Sequence, residues 1–239
     1  MKGSQMGRGI FVTGTDTGVG KTFIATALAR YLRDRGARVG VMKPAETGCS
    51  QEDGVLIPED AVRLKEASGC AEALERICPY RFSEPLAPSM AAERAGRKID
   101  VDLLLATYAD ISAKYDITLV EGAGGLMVPL LPGYTYADFA GLLKLPLVVV
   151  AANRLGAINH LLLTLEHAGC KGLKVLGYVL NENSRETSLA AETNREAVLG
   201  LTGVPCLAEL PFCESAGPQN IVENEFDLRL LAPALFQGK

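Results

Sequence analysis

Nine consecutive residues near the start of the chain, Gly14-Thr15-Asp16-Thr17-Gly18-Val19-Gly20-Lys21-Thr22, constrain the fold more than any other segment. The β-branched run Ile10–Thr13 precedes them. A helical pattern over Thr22–Arg35 follows and stops at Gly36, a residue suited to the left-handed turn that closes a helix. Strand, glycine-rich turn, Lys-Thr and helix in that order make a loop that can cradle phosphates. Glycines let backbone N–H groups turn inward, and the helix N-terminus adds partial positive charge. Lys21 can reach the β- and γ-phosphates, and the Thr22 hydroxyl can ligate Mg²⁺. The common pattern encloses four residues between its glycines, whereas Gly14 and Gly20 enclose five. The competing reading is a glycine-rich β–α turn with an incidental Lys-Thr.

The rest of the chain repeats this alternation. Strand candidates are Ile10–Thr13, Arg38–Met42, Ile117–Glu121, Leu147–Ala151, Val175–Leu180 and Cys206–Leu210. Several are almost continuously apolar, as strands covered on both faces are. Between them lie helical patterns over Thr22–Arg35, Glu59–Ala67, Val101–Lys114, Thr135–Leu143, Ala157–Ala168 and Arg185–Leu201, with Gly169 and Gly203 as expected helix stops. The expectation is an α/β fold of P-loop NTPase type: one doubly wound, mostly parallel sheet with helices on both faces, joined by right-handed crossovers. Residues 1–239 read as a single domain, with 1–8 a flexible or added N-terminal extension. The Pro-rich stretch Cys78–Pro88 reads as an ordered loop within it.

Composition narrows the function. Lys and Arg number 24 against 28 Asp and Glu, a net charge of −4, which argues against nucleic-acid binding and a polybasic membrane anchor. The apolar run Leu145–Ala152 is too short to span a bilayer, which needs ~20 residues, and the first six residues hold no apolar signal core. Six scattered cysteines without a C-x-x-C pair, and only His160 and His167 beside them, argue against zinc and for reduced thiols in a cytoplasm.

Two carboxylates and a second lysine complete the candidate chemistry. Ile117–Glu121 is an apolar strand ending in a carboxylate, and Gly122-Ala123-Gly124-Gly125 can then present backbone N–H groups to an anion. Asp60 is a second candidate metal ligand, although an acid in a helix's first turn is routine. Taken alone, Glu121 would more often be a solvated strand-end carboxylate. Lys43, in Lys43-Pro44-Ala45-Glu46-Thr47-Gly48, ends a strand where an α/β sheet meets its ligand.

Together with Ser83–Pro88, Val120–Gly125, the Leu155-Gly156-Ala157-Ile158-Asn159-His160 turn and the strand end Val179-Leu180-Asn181, these segments resemble the dethiobiotin synthetases. That family shares the five-residue enclosure. The resemblance spans about residue 9 to residue 220 and implies ring closure of dethiobiotin from 7,8-diaminopelargonate, CO₂ and Mg-ATP. An N-carbamate is phosphorylated to a carbamic–phosphoric anhydride, and the second amine then expels phosphate.

The resemblance also implies roles. Lys21 and Lys43 flank the transferring phosphoryl group as catalytic cations, and Thr22, Asp60 and Glu121 surround Mg²⁺. ATP is held by Gly18, Val19, Gly20, Lys21, Thr22, Phe23, Asp60, Glu121, Gly122, Ala123, Gly124, Asn181, Pro211, Phe212 and Gln219, with the Asn181 amide pairing adenine. Lys43, Thr47, Gly124, Gly125, Leu155, Ile158 and Asn159 hold the substrate. The helix start at Leu155–His160 completes the carboxylate site of a neighbouring subunit in a homodimer, with His160 structural rather than catalytic. Thr193 stands where some members offer a Tyr to that carboxylate. Two other classes share the fold expectation. A partition-type ATPase switch places a signature Lys where this chain has Asp16, and a cobyrinate-type amidating enzyme carries a glutaminase domain that 239 residues cannot accommodate.

Overall fold

The computed structural model describes residues 8–184, 188–212, 221–227 and 231. In chain order its elements are β1 (Gly9–Gly14), α1 (Lys21–Asp34), β2 (Val39–Met42), β3 (Ala45–Thr47), β4 (Ser50–Glu52), β5 (Val55–Ile57), α2 (Glu59–Ser68), α3 (Leu74–Ile77), β6 (Tyr80–Phe82), α4 (Pro88–Arg94), α5 (Val101–Lys114), β7 (Ile117–Gly125), β8 (Pro129–Leu131), β9 (Tyr134–Thr135), α6 (Tyr136–Leu143), β10 (Leu147–Ala152), α7 (Ala157–Cys170), β11 (Val175–Asn181), α8 (Leu189–Leu199), β12 (Cys206–Leu210) and α9 (Ile221–Glu225).

Six strands form one parallel sheet in the order β12-β11-β10-β1-β7-β2. Both faces are covered, so β1, β2 and β10 are buried at every position rather than alternating between core and solvent. Along β1, Ile10 and Val12 join the core beneath α1 and α2, while Phe11 points to the opposite core with α5 and α6 residues. Along β10, Val148 and Val150 face the first core, and Val149 and Ala151 face a third beneath α7 and α8. The phosphate loop leaves the C-terminal end of central β1, the place where such sheets bind ligands. Among the described residues, no helix is long and apolar enough to cross a membrane.

The six expected strands and six expected helices are all present, with ends moved by a few residues. Some boundary expectations are corrected. Helix α7 runs through Gly169 to Cys170, because its carbonyls are closed one turn later: Gly172 N–H donates to Gly169 O and Leu173 N–H to Ala168 O, with Gly172 at φ +67°. The same pair of bonds closes α1, from Gly36 to Arg33 O and from Ala37 to Leu32 O. Helix α8 starts at Leu189 after Ser188, whose hydroxyl accepts from Ala190 N–H, and it ends at Gly200 rather than Gly203. Residues 185–187 and the extension over 1–7 lie outside the described residues. The Cys78–Pro88 stretch is not all loop. It holds β6, paired in parallel with β3, and hands over to α4 at Pro88, whose ring suits the first turn of a helix. Three-residue strands are too short to show a period in sequence.

Candidate active site

Strand register builds the centre of the site. Met42 of β2 pairs with Val120 of β7, so the next residues, Lys43 and Glu121, emerge side by side. Lys43 Nζ donates to Glu121 Oε1 at 2.6 Å and to Asp60 Oδ2, from the first turn of α2, at 2.7 Å. The Thr22 hydroxyl, from the first turn of α1, donates to the same Glu121 Oε1 at 2.8 Å. The other oxygen, Oε2, is buried without a partner. Four segments distant in sequence thus meet, with Thr22 and Lys43 on the Glu121 carboxylate and Asp60 on Lys43. Burial alone would push the Lys43 ammonium down, but Glu121 and Asp60 hold it well above the ordinary lysine value. Burial likewise opposes the charged form of Asp60, and the contact with Lys43 wins, holding its carboxyl below the usual range.

Lys21 differs. Its Nζ donates to Asp16 O at 3.0 Å, inside its own loop. Burial, then repulsion from Lys43, pushes its ammonium down to about 8. The loop is braced from behind by β11: Asn181 Nδ2 donates to Val19 O at 3.0 Å, and Asn183 Nδ2 to Gly18 O at 2.8 Å. Gly20 sits at φ +98°, and a Cβ there would come within 2.3 Å of Asn181 Nδ2, so backbone shape and close approach both demand glycine.

One residue of the centre had no assigned role in the sequence reading. Glu46 of β3 is buried, with only 6% of its surface exposed. Its Oε1 accepts from Asp60 N–H at 2.9 Å and its Oε2 from Ala61 N–H at 3.1 Å. Helix α2 follows Pro58 and has no side-chain cap of its own at that position, so Glu46 supplies the acceptors from outside the helix. Burial raises the Glu46 carboxyl to about 7, against the lowering effect of the Asp60 N–H bond and of Lys43. The only cue in sequence is an acid between Lys43 and Gly48; its partners lie fourteen and fifteen positions on.

A cleft of about 560 Å³ joins Gly18, Gly20, Lys21, Thr22, Phe23, Lys43, Thr47, Asp60, Glu121, Ala123 and Gly124, with Glu46 and the Pro85–Pro88 segment on its wall. Gly125 and His160 line a neighbouring hollow on the far side of the phosphate loop. Val19, in the loop, is tied by its carbonyl to Asn181 behind it, and Gly122 packs close to Phe11 and Tyr136. Pro211 and Phe212 follow β12 outside the cleft lining, and Leu155, Ile158 and Asn159 sit at the start of α7, also outside it. Thr193 lies on the exposed face of α8, its hydroxyl turned to Ala190 O. Gln219 is outside the described residues.

The model of an AAA domain family matches residues 8–220. The chain is 45% identical to the ATP-dependent dethiobiotin synthetase BioD of Anaeromyxobacter dehalogenans, over 86% of this chain and 90% of that one. It is 37% identical to the protein of the same name in Thermodesulfovibrio yellowstonii, over 95% of this chain and 99% of that one. Among solved structures, McdA from Cyanthece superposes with a TM-score of 0.53 at 13% identity, covering 95% of this chain and 94% of that one. The septum site-determining protein MinD of Pyrococcus horikoshii gives 0.52 at 19% identity, covering 85% and 81%. At these identities the structural likeness speaks for the P-loop fold alone.

Proposed function

This chain belongs to the ATP-dependent dethiobiotin synthetase family, and from that premise we propose how its own residues carry out the reaction. As a member it is an ATP-dependent cyclo-ligase of biotin biosynthesis. The observation that carries the proposal is the buried convergence of Lys43, Asp60, Thr22 and Glu121 at the mouth of the phosphate loop.

The substrate is 7,8-diaminopelargonate carrying an N-carbamate formed with CO₂. A carbamate oxygen attacks the γ-phosphorus, the bond to the ADP oxygen breaks, and a carbamic–phosphoric anhydride results. The second amine then attacks the carbamoyl carbon, loses its proton and expels phosphate. Little of this needs covalent help from the protein, so positioning and charge stabilisation dominate. Lys21 and the amides of Gly18, Val19, Gly20, Thr22 and Phe23 hold the phosphates. Lys43 faces the charge that develops in transfer. Thr47 and the amides of Gly124 and Gly125 orient the carbamate side of the substrate.

The donor set fits Mg²⁺. Thr22, Asp60 and Glu121 offer hard oxygens, and the unpartnered, buried Glu121 Oε2 is an acceptor awaiting a cation. Held by Thr22, Asp60 and Glu121, Mg²⁺ would offset phosphate negative charge during transfer. Asn181 has one N–H committed to Val19, and its carbonyl and second N–H are assigned to adenine, with Pro211, Phe212 and Gln219 beside the base. Leu155, 85% exposed, and Ile158 and Asn159 are assigned to the substrate carboxylate of a second subunit. Exposed Met127 and Leu163, near His160, support a homodimer through that face. The free thiols Cys49, Cys70, Cys78, Cys170 and Cys206 support a cytoplasmic enzyme.

The test is a coupled ADP-release assay with diaminopelargonate, bicarbonate and Mg-ATP, each omitted in turn. Release should need all of them. Release that ignores diaminopelargonate, or that answers instead to a protein or to DNA, defeats the reading.

A further inference from the structure

We propose that Glu46 is a positioning residue for phosphoryl transfer: its buried carboxylate locks the first turn of α2 and thereby holds Asp60 against Lys43. The inference rests on the reaction proposed above.

The geometry is a chain of short contacts. Glu46 takes the N–H groups of Asp60 and Ala61, one on each oxygen. The Asp60 side chain, one residue into that turn, meets Lys43 Nζ, which in turn meets Glu121. Lys43 and Glu46 leave β2 and β3 only three positions apart, so one loop supplies both the cation and the clamp on its acid. The frame of that loop is fixed by β3 pairing with β6, register Glu46 to Arg81.

An Asp on an exposed helix end would sample several rotamers and backbone positions. Here the two amides that set the direction of the turn are fixed by a group that is not part of the helix. A carboxylate suits the task, since it offers an acceptor to each of the two N–H groups. A side chain that merely filled the space would leave both amides without an acceptor. Outer contacts of this kind orient a ligating or ion-pairing carboxylate without touching the reacting atoms.

The experiment uses the full chain with Glu46→Gln and Glu46→Ala. Glu46→Gln keeps the size but turns an N–H₂ toward one of the two amides, so one clamp bond is lost and one kept. The expected result is a roughly 10-fold higher Mg²⁺ half-saturation for turnover in Glu46→Gln, a larger shift in Glu46→Ala, and an unchanged KM for diaminopelargonate. Amide hydrogen exchange at Asp60 and Ala61 should speed up in both variants, while the amides of α1 keep their protection. Glu46→Gln with an unmoved Mg²⁺ midpoint and unmoved exchange at Asp60 and Ala61 overturns the proposal. So does a fall in melting temperature with unmoved kinetics, the mark of a purely structural role. If Glu46→Ala does not fold, Glu46→Gln alone decides. If the wild-type chain turns over no diaminopelargonate, the proposed reaction falls. Amide exchange and the Mg²⁺ dependence of ATP binding then decide the role of Glu46 separately.

Discussion

Lys43 and Glu121, each one step beyond a pair of adjacent residues in neighbouring strands, form an ion pair of 2.6 Å in which the side chains are 3% and 1% exposed. Buried pairs of this kind gain little over an apolar pair, but removing one partner is costly because the other charge is left stranded. Lys43→Ala should therefore lose stability, by about 3 kcal/mol or more, as well as turnover, by about 10²-fold. The stranded Asp60 and Glu121 become an open cation site. Mg²⁺ alone should then raise the melting temperature of Lys43→Ala more than that of the wild type. Equal Mg²⁺ responses in a melting series, or weakened ATP binding with turnover intact, would count against this assignment.

The carboxylates can be separated from each other. Glu121 is fully buried with an unused oxygen, whereas Asp60 is about one-third exposed and bonded through Oδ2 to Lys43. Glu121→Gln should raise the Mg²⁺ requirement at least the ~10-fold that loss of an outer contact costs, and more than Asp60→Asn does. A Mg²⁺ titration of turnover reads both. An unshifted midpoint in Asp60→Asn, with a lower melting temperature, would leave Asp60 only its favourable place in the first turn of α2, worth ~0.3–1 kcal/mol.

The contacts that sequence revealed and those it hid differ in kind. Lys21 and Thr22 open the helix after the loop that leaves β1, Lys43 follows β2 and Glu121 lies in β7, all strands apolar enough to be recognised, so their arrival at one sheet edge follows from the alternation of strand and helix. Glu46 and Asn181 act on backbone groups of other segments, Glu46 on the start of α2 and Asn181 on the phosphate loop 162 positions away. No local pattern marks an acceptor for a distant N–H. The short pairings β3–β6, β4–β5 and β8–β9 were hidden for a related reason, since two or three residues carry no period.

The bracing of the phosphate loop by β11 makes a paired prediction. Gly20→Ala introduces a methyl where Asn181 Nδ2 stands and strains a backbone at φ +98°, costing about 1–3 kcal/mol and displacing Asn181. ATP binding should fall in Gly20→Ala and in Asn181→Ala, and Gly20→Ala/Asn181→Ala should lose less than the sum of the two, because the clash is gone while the backbone strain and the lost Asn181 contacts remain. Strict additivity of the two single variants in calorimetric ATP titrations would mean that the side chain does not press on the loop as the structure has it.

The start of α6 offers a test by acid. Thr135 and Asp138 cap it reciprocally: Asp138 N–H donates to the Thr135 hydroxyl oxygen, and Thr135 N–H donates to Asp138 Oδ2 at 2.8 Å. Lys171 Nζ also donates to Asp138 Oδ1 at 2.7 Å. Lys171 first, then the Thr135 bonds, holds the Asp138 carboxyl down at about 2, below the ~3.9 of an unfolded chain. Folding therefore favours the ionised form. The contribution is fully present above the unfolded value and fades as pH falls through about 2. Asp138→Ala should cost about 1 kcal/mol near neutral pH, the usual worth of a helix cap. The gap in melting temperature between variant and wild type should stay flat down to about pH 5 and close progressively below pH 4. The Lys171 share should shrink with added salt, because that ion pair is partly exposed. A gap that stays constant into the acid range would show that the Asp138 charge does nothing for α6, and that the loss comes from packing alone.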